Sequence, residues 1–571
     1  MVNNKRDSHD NLIEDVSGGG RRIIKPKTEI LPLTAQAFDY LTQKRGLHPD
    51  VIKAYRLGSD KNGRIVVPFY DETGELALVK FRHPQGEIMR WQKPDGEGGY
   101  EEVDGKSRIE PGGKGILFGS HLCDPAEGPL VIVFGDYDAM AVAQCGVPNS
   151  VGMPFGDGGF EFIKYQWNFL KRFNEIILYP DADDYPNPEA EKLARKKLDE
   201  LARRLGKARV RMVNAEDRHC TKDANELLLK GVADPDLKNA NREAIIRADW
   251  FPDGITKVAD YRDEQIREGL PFGLRDIDRI TNGAVGGELI LIGGDNEAGK
   301  TTNLLNFIAN FIEWRAPVFY WSGEQGVGEI RYWFERIVAG REFIKRETSS
   351  NTGAEFFFPI DEVKEPLRDW YRDYFYQLTD ASVDARSFFA AAELAVCRYG
   401  CRVIAADNLM AFTGGAGETY FQEQGDFAEE CKKFAEKWGV PFILLVHNKK
   451  EQKWIQIKNA DGGSRRAPLF PDKNSVEGSK KVTNWADVLL QCYRTDEETR
   501  EYFDNADGVI GVRKCRRNPN HVTVAMLFDE DSNRLFQVAE NFKRGRSFGW
   551  AERTQWKNAD NHQETGSTNR F

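Results

Sequence analysis

The sequence has no Cys-x-x-Cys pair, no apolar run long enough to cross a bilayer and no surplus of positive charge. The eight cysteines are scattered, which argues against a zinc ribbon and against a disulfide framework. The net charge of −10 means that any nucleic-acid surface must be a local patch. These absences favour a globular protein without a membrane partner, and the 571 residues predict two or three domains.

The N-terminus also lacks two kinds of targeting signal. It carries neither an apolar signal-peptide core nor an Arg-rich, acid-poor leader. We therefore expect a cytoplasmic location, which would be the host cytoplasm if the source is a phage. A mitochondrial location is the less favoured alternative.

Composition and hydrophobic periodicity divide the chain into six stretches. In order, these are a disordered arm (1–28), a small α+β module (29–115), a unit of alternating strands and helices (116–232), a polar linker with a helix (233–270), a larger alternating unit (271–540) and a flexible tail (541–571). Alternating strands and helices predict parallel sheets, so the expected fold class is α/β.

The most specific motif is "GGDNEAGKTT", which follows the apolar run "GELILI" and precedes an amphipathic helix. A strand, a glycine-rich turn and a helix N-terminus in this order form a phosphate-binding loop. Lys300 would reach the β- and γ-phosphates and Thr301 would hold a magnesium ion. The flanking elements disfavour the alternative of an ordinary glycine turn. The predicted nucleotide contacts are Gly294, Asp295, Asn296, Glu297, Ala298, Gly299, Lys300, Thr301 and Thr302.

Three further apolar runs close on a polar residue that hydrolysis could use. Glu324 could orient the attacking water, Asp407 could hold the magnesium ion's water shell, and His447 could sense the γ-phosphate. Each residue taken singly is equally typical of a solvated strand end. Three of them on successive strands of one nucleotide-binding unit favour a catalytic site.

With their flanking segments, these motifs resemble the RecA-type ring helicases, namely the DnaB class, the helicase half of phage primase-helicases, and Twinkle. The resemblance covers about 265 to 540 and includes "VEGSKKVTNWADVLLQCYR" and "GVRKCRRNPN". It implies a RecA-like helicase domain over 271–540. It also implies that Arg516 enters the neighbouring subunit's site as an arginine finger, with Lys514 beside it, and that Arg494 and Phe528 sandwich the nucleotide base. Surface residues near strand ends are the alternative for these four.

The stretch from Asn448 to Asn484 carries nine basic and four acidic residues, an unusual surplus for an acidic protein. Such a segment fits a loop that tracks DNA phosphates through the centre of a ring, although charge runs often mark only a solvated loop. The predicted DNA contacts are Lys449, Lys450, Lys453, Lys458, Arg465, Arg466, Lys480 and Lys481.

Residues 129 to 230 resemble a Toprim domain, the metal-binding fold of bacterial-type primases, and 29–115 would then be primase-like. The second Toprim motif is present as Asp181 and Asp183, which would bind magnesium. In the first motif, however, Phe134 stands where the family has a catalytic glutamate, and no zinc module is present. Asp136 and Asp138 could compensate in part. We expect a primase-like domain, with a vestigial metal site, that does not synthesise primers.

The resemblance implies a replicative DNA helicase. We expect a homo-hexamer or heptamer that hydrolyses ATP or dTTP with Mg²⁺, needs no zinc, moves 5′ to 3′ on single-stranded DNA and unwinds forked DNA. The implied partners are a replicative DNA polymerase and a single-stranded DNA-binding protein. Two alternatives are a primase-helicase that also makes RNA primers, and a RecA-like ATPase that acts in recombination or repair without unwinding.

Overall fold

The computed structural model describes residues 23–94, 100–155, 159–182, 188–251, 268–412, 418–449, 454–458, 464–468, 470–478, 480–538 and 548–553. Two compact units are present, one within Met1–Asp260 and one within Tyr261–Val396 and Gly400–Phe571. In the part of the chain that is described, no helix is both long and apolar enough to cross a membrane.

The described part of the N-terminal unit combines eight α-helices, of which α6 is the longest at 18 residues, with eleven strands. Its helices are α1 (Ala35–Asp39), α2 (Pro49–Ala54), α3 (Asp136–Gln144), α4 (Glu161–Tyr165), α5 (Trp167–Leu170), α6 (Pro188–Leu205), α7 (Ala224–Ala233) and α8 (Ala240–Arg247). Its strands are β1 (Gly58–Ser59), β2 (Ile65–Tyr70), β3 (Leu76–Arg82), β4 (Met89–Pro94), β5 (Tyr100–Gly105), β6 (Arg108–Ile109), β7 (Leu130–Val133), β8 (Ser150–Gly152), β9 (Ile176–Tyr179), β10 (Val210–Met212) and β11 (Asp249–Trp250).

Two sheets organise this unit. The first is antiparallel, in the order β1-β2-β3-β6, and β2 and β3 form a hairpin. The second has the order β11-β10-β9-β7-β8, in which β8, β7, β9 and β10 are parallel. Every residue of β7 and β9 is buried, as expected of central parallel strands covered on both faces. The carboxyl ends of β7 and β9 therefore lie at one edge, where Asp136 and Asp181 follow them.

The linker predicted over 233–270 begins too early. Strand β11 pairs antiparallel with β10, and Ala240, Ala244, Ile245 and Ala248 are buried in the core of the N-terminal unit. The small apolar residues of α8 give a packing face that a polar linker would not have. The predicted linker helix falls on 257–269, of which 257–267 lie outside the described residues.

The C-terminal unit is built around one large sheet. Its helices are α9 (Arg275–Thr281), α10 (Lys300–Glu313), α11 (Val327–Ala339), α12 (Asp361–Tyr371), α13 (Ala385–Tyr399), α14 (Glu418–Trp438), α15 (Lys480–Trp485) and α16 (Gly549–Arg553). Its strands are β12 (Leu289–Gly294), β13 (Val318–Ser322), β14 (Ile344–Thr348), β15 (Glu355–Pro359), β16 (Phe375–Gln377), β17 (Val403–Asp407), β18 (Phe442–His447), β19 (Trp454–Lys458), β20 (Ser464–Pro468), β21 (Val488–Arg494), β22 (Gly508–Cys515), β23 (Val522–Asp529) and β24 (Arg534–Gln537).

The nine-stranded sheet has the order β16-β13-β17-β18-β12-β21-β22-β23-β24. The first six strands in this order are parallel to one another, whereas β22, β23 and β24 continue the sheet in antiparallel fashion. All six residues of β12 are buried, and α10 covers them with the predicted apolar face. That face consists of Leu304, Leu305, Ile308, Phe311 and Ile312, each fully buried. Because these strands are parallel, their carboxyl ends meet at one edge of the sheet: β12, β13, β17 and β18.

Two segments of this unit are more ordered than the sequence suggested. The stretch between β18 and β21, expected to be a long loop, contains the antiparallel hairpin of β19 and β20. The tail predicted over 541–571 includes Trp550, which is buried and donates its indole N–H to the carbonyl of Val338 at 3.0 Å. Phe548 packs against Trp370 in the same core. A flexible tail can therefore begin only after α16, and residues 554–571 lie outside the described part of the chain.

Candidate nucleotide-hydrolysis site

The loop between β12 and α10 has the backbone geometry of a phosphate cradle. Gly299, directly before α10, has φ of 83°, a left-handed conformation that glycine adopts without strain. A side chain at Gly294 would meet the Ala298 Cβ and the Cys492 carbonyl oxygen at 3.0 Å. The loop therefore needs both glycines of the motif, and it leads into the N-terminus of a fourteen-residue helix.

Lys300 closes the loop on itself. Its ammonium donates to the carbonyl oxygens of Asp295 at 2.9 Å and Gly294 at 3.0 Å, and it lies 3.4 Å from the Nδ1 atom of His447. Burial lowers the pKa of Lys300 from its ordinary value. The ammonium is therefore held at the mouth of the loop by weak neutral acceptors, which the charged oxygens of a triphosphate would displace.

Asp407, the last residue of β17, lies beside the loop. Its Oδ2 atom accepts hydrogen bonds from the Thr301 hydroxyl at 2.7 Å and from the Tyr320 hydroxyl at 3.2 Å. Burial raises the pKa of Asp407 to about 6, and the negative charge of Glu324 acts in the same direction. The carboxylate thus has hydroxyl partners rather than a cation, and a bound cation would stabilise its charged form.

Glu324, Asn408 and His447 form the other side of the site. Glu324 follows β13, and its Oε1 atom accepts a hydrogen bond from the side-chain amide of Asn408. The same amide nitrogen lies 3.2 Å from the Nε2 atom of His447. Burial lowers the pKa of His447, and the positive charge of Lys300 lowers it further. The structure therefore brings together the five residues predicted for the hydrolytic site: Lys300, Thr301, Glu324, Asp407 and His447.

This arrangement suits hydrolysis of a nucleoside triphosphate. The loop amides and Lys300 can stabilise charge on the phosphates, and a carboxylate across from them can orient a water molecule for in-line attack. Thr301 and Asp407 offer hard oxygen ligands 2.7 Å apart, which fits Mg²⁺ chemistry. His447 lies close enough to Lys300 to contact the same phosphate group.

The remaining predicted residues divide between two edges of the sheet. Arg494 ends β21, and it pairs with Gly508, which in turn pairs with Met526 near Phe528. Arg494 and Phe528 therefore lie at the edge that carries the phosphate loop, and Phe528 keeps 40% of its surface exposed. This placement is compatible with contacts to a nucleotide base, which stay a prediction.

Lys514 and Arg516 lie at the opposite edge. Cys515 between them pairs with Val488, which pairs with Ile290 in β12. Ile290 precedes Gly294 by four residues, a distance of roughly 13 Å along a strand. Neither residue can therefore belong to the phosphate site of its own subunit.

Arg516 is tethered at that edge. Its guanidinium donates to the Asn484 carbonyl at 2.7 Å and lies 3.3 Å from a carboxylate oxygen of Asp487. About half of the side chain is exposed, at 47%. Lys514 donates to the Thr483 carbonyl at 2.7 Å. Both cations are thus anchored near the surface, where a neighbouring molecule could receive them.

The predicted DNA contacts are only partly described. Lys449 donates to the Asn474 carbonyl at 3.2 Å, the Arg466 guanidinium stacks 4.2 Å from the centre of the Trp454 ring, and Lys480 and Lys481 are exposed at the start of α15. The predicted contacts Lys450 and Lys453, and the side chains of Lys458 and Arg465, lie outside the described residues.

The predicted Toprim-like site differs from the hydrolytic site in the partners of its buried aspartate. Phe134 is half-buried against the core, and Asp136 is fully buried between the Arg82 guanidinium at 2.6 Å and the Lys80 ammonium at 3.2 Å. Burial alone would raise the pKa of Asp136, but these two cations bring it well below its usual range. Asp136 is therefore not available to compensate for the missing glutamate.

The other carboxylates of that edge are crowded. Burial raises the pKa of Asp138 well above its ordinary value, and the charges of Asp223 and Asp181 raise it further. Among the described residues, no group of three or more His, Cys, Asp and Glu side chains is arranged to hold a metal ion. Asp183 lies outside the described residues.

Sequence patterns missed two residues of the hydrolytic site. Tyr320 reads as one more apolar residue within β13, although its hydroxyl contacts Asp407. Asn408 directly follows Asp407, and that adjacency at a strand end was the only signal for it. Both roles depend on contacts between distant segments of the chain, which no local pattern reports.

Comparison with known proteins finds relatives of this chain. Residues 269–537 match the family model described as the DnaB-like helicase C terminal domain. The chain is 25% identical to the Twinkle homolog protein, chloroplastic/mitochondrial, of Arabidopsis thaliana, over 87% of this chain and 68% of that protein. It is 24% identical to the DNA helicase/primase of Enterobacteria phage T3, over 79% of this chain and 74% of that protein. Among solved structures, a DnaB-like replicative helicase is 14% identical, with a TM-score of 0.39, over 65% of this chain and 82% of that chain.

The C-terminal unit is a RecA-like, NTP-dependent helicase domain of the DnaB-like family. The similarity of the chain to the Twinkle homolog and to the phage DNA helicase/primase extends through the N-terminal unit.

Proposed function

We propose that the protein is a replicative DNA helicase, a ring of identical subunits that moves 5′ to 3′ along single-stranded DNA and unwinds duplex at a replication fork. One observation carries this proposal. Four side chains meet at one sheet edge of a DnaB-like helicase domain, where they could bind phosphate, hold a metal ion, orient water and sense the γ-phosphate: Lys300, Asp407, Glu324 and His447. In such a site the free energy of hydrolysis is available for movement.

Mg²⁺ is the cofactor that best fits the residues present. The Thr301 hydroxyl and the Asp407 carboxylate would hold it, Asp407 through the ion's water shell. When bound, the ion supplies positive charge that offsets the charge developing on the phosphates during transfer. The nucleotide would be ATP or dTTP, with its base between Arg494 and Phe528.

The position of Arg516 supports a site that is shared between subunits. Because its own phosphate loop lies at the opposite edge of the sheet, a transition-state contact from Arg516 requires a neighbouring copy. A closed ring of six or seven subunits supplies each loop with a finger from the next subunit. Lys514, anchored beside Arg516, would enter the same neighbouring site.

Single-stranded DNA would contact the basic stretch between β18 and α15. The described cations of that stretch and of the start of α15 are on the surface of a unit that is otherwise not basic: Lys449, Arg466, Lys473, Lys480 and Lys481. Lysines and arginines on such a loop bind phosphates without reading sequence. This is what a motor that passes along any sequence needs.

For the N-terminal unit we propose a supporting role without primer synthesis. Phe134 removes the expected glutamate, and Lys80 with Arg82 neutralises Asp136. One observation favours the alternative of a primase-helicase: besides burial, the charges of Asp223 and Asp181 raise the pKa of Asp138, so acidic side chains still lie near one another in this unit. A replicative DNA polymerase and a single-stranded DNA-binding protein as partners follow from the proposed function and stay predictions, as does the cytoplasmic location.

Strand release from a forked DNA tests the proposal. The wild-type protein with Mg²⁺ and NTP should release the displaced strand and hydrolyse NTP faster when DNA is added. Lys300→Ala should abolish both activities. Lys433→Ala, which removes an exposed lysine paired with Glu429 on α14, is the matched control and should preserve them. DNA-stimulated hydrolysis that survives in Lys300→Ala would refute the assigned site.

A further inference from the structure

Asn408 occupies the centre of the hydrolytic site without having been assigned any part in it. Only 4% of its surface is exposed. Its side-chain amide donates to the Glu324 carboxylate and also lies 3.2 Å from the Nε2 atom of His447. Its Oδ1 atom accepts a hydrogen bond from the backbone N–H of Met410 at 2.9 Å, which fixes which end of the amide is the donor.

The ring of His447 lies between two groups that can only donate. Its Nδ1 atom faces the Lys300 ammonium at 3.4 Å, and its Nε2 atom faces the Asn408 amide. A neutral imidazole has one N–H and one acceptor nitrogen, so only one of these contacts can be a hydrogen bond. The ring is neutral near pH 7 because burial and the charge of Lys300 lower the pKa of His447.

The distances decide which contact is the hydrogen bond. Lys300 already donates to two carbonyl oxygens at 2.9 and 3.0 Å, and its distance to the ring is the longer of the two ring contacts. Nε2 therefore accepts from Asn408, and the proton resides on Nδ1. In this tautomer the N–H of His447 faces Lys300 and hence the position of the phosphates.

We propose that Asn408 is a positioning residue that holds Glu324 and fixes His447 in the tautomer whose Nδ1–H faces the triphosphate. The proposal rests on the NTPase function proposed above. A triphosphate that draws Lys300 toward its oxygens also provides an acceptor for Nδ1–H, which relieves the contact between two donors. One amide then joins the histidine that senses the γ-phosphate to the carboxylate that orients the attacking water.

Two substitutions separate this role from a purely structural one. Asn408→Ala removes the amide and should lower kcat about 100-fold, the order expected for misplaced catalytic groups, while the KM for nucleotide stays within about threefold. Asn408→Asp has nearly the same shape and still accepts from the Met410 N–H. It would repel Glu324 and accept a hydrogen bond from Nε2–H, which favours the other tautomer, so it should be no more active than Asn408→Ala. If Asn408 only capped this turn, the aspartate variant would recover activity, and the proposal would be refuted.

A double-mutant cycle with His447 provides the second readout. In a His447→Ala background, Asn408→Ala should lower kcat by a smaller factor than in the wild-type background, since the contact with the histidine is already lost and only the contact with Glu324 remains to be removed. Multiplicative losses would overturn the proposal. Asn310→Ala is the matched control: Asn310 is also a buried asparagine, at the far end of α10, and donates to the Phe272 carbonyl at 2.8 Å. It should lower the melting temperature without lowering kcat.

The same assay distinguishes this proposal from the proposed function. Wild-type DNA-stimulated turnover with unimpaired Asn408→Ala would refute the role of Asn408 alone. Absence of wild-type turnover would refute the NTPase assignment and the positioning role with it.

Discussion

Two buried aspartates, one in each unit, stand at the carboxyl edges of parallel strands in opposite surroundings. Asp407 is hydrogen-bonded by the hydroxyls of Thr301 and Tyr320, and its pKa is raised to about 6. Asp136 is held by Lys80 and Arg82, and its pKa lies well below its usual range. The same residue type at equivalent places in two sheets therefore has opposite electrostatics.

This difference indicates which of the two strand-edge carboxylates can take up a cation. Asp407 is a buried carboxylate with hydroxyl partners, so a bound magnesium ion would stabilise its charged form. Without the ion, that buried charge lowers the stability of the folded protein. Asp136 has already been neutralised by two cations, so a metal ion would first have to displace them. One edge is thus prepared for chemistry and the other stabilises the fold.

The largest expected effect concerns Arg516, the cation that we expect a neighbouring subunit to supply to the phosphate site. Arg516→Ala should leave nucleotide binding and ring assembly intact but lower NTP turnover by about 10³-fold, because the finger stabilises charge only in the transition state. Rings that mix Arg516→Ala and Lys300→Ala subunits should recover part of the turnover, since some interfaces then pair an intact loop with an intact finger. Normal turnover in Arg516→Ala rings would remove the shared-site account.

Breaking the ion cluster around Asp136 comes next in size. Asp136→Asn leaves Lys80 and Arg82 without their counter-ion and should destabilise the N-terminal unit by about 3–5 kcal/mol. Because the pKa of Asp136 is lowered in the folded state, its contribution is present at neutral pH and is lost as pH falls below about 4. Denaturant titration measures this loss, and Asp39→Asn, at an exposed carboxylate of the same N-terminal unit, should change stability by less than about 0.5 kcal/mol. A neutral Asp136→Asn variant would contradict the ion-cluster account.

The corresponding substitution in the C-terminal unit, Asp407→Asn, should change the stability of the protein in the opposite direction. A raised pKa in the folded state makes ionised Asp407 a cost at neutral pH, so Asp407→Asn should stabilise the nucleotide-free protein by at most about 3 kcal/mol at pH 7 while abolishing hydrolysis. The advantage over the wild type should be absent below about pH 4 and should grow as pH rises through about 6. Thermal melts of both proteins at about pH 4 and at pH 7 measure this difference in stability. Destabilisation at pH 7 would show that Asp407 is structural rather than poised for a cation.

The smallest effect concerns the DNA surface. Lys480→Ala should weaken binding to single-stranded DNA modestly and reduce the slope of log affinity against log salt by about 0.7, the value for one phosphate contact. Lys433→Ala, on the surface of the same unit, should leave the slope unchanged. An unchanged slope in Lys480→Ala would exclude that residue from the interface.

Sequence patterns predicted the elements of the C-terminal site well, for a physical reason. A buried parallel strand has a continuous apolar sequence, so the polar residue that ends it is visible by eye, and parallel pairing then gathers Glu324, Asp407 and His447 at one edge. The glycines of the phosphate loop are visible because only they fit its backbone.

The rest depends on contacts between distant parts of the chain. Lys80 and Arg82 reach Asp136 only because an antiparallel hairpin packs beside α3, and nothing in the local sequence around "FGDYD" announces two cations more than fifty residues away. Trp550 looks like part of a polar tail until its ring is seen in the core. The position of Arg516 relative to its own loop likewise depends on the antiparallel turn of β22.

One reaction tests the contrast between the two units most directly. The protein is incubated with Mg²⁺, a forked duplex, a single-stranded template, all four ribonucleoside triphosphates, ATP among them, and dTTP. Both strand release and template-dependent RNA are measured. The account predicts strand release without RNA, and loss of that release in Lys300→Ala. Template-dependent RNA would show that the edge bearing Phe134 and Asp136 still polymerises nucleotides, and absence of strand release by the wild type would contradict the helicase assignment itself.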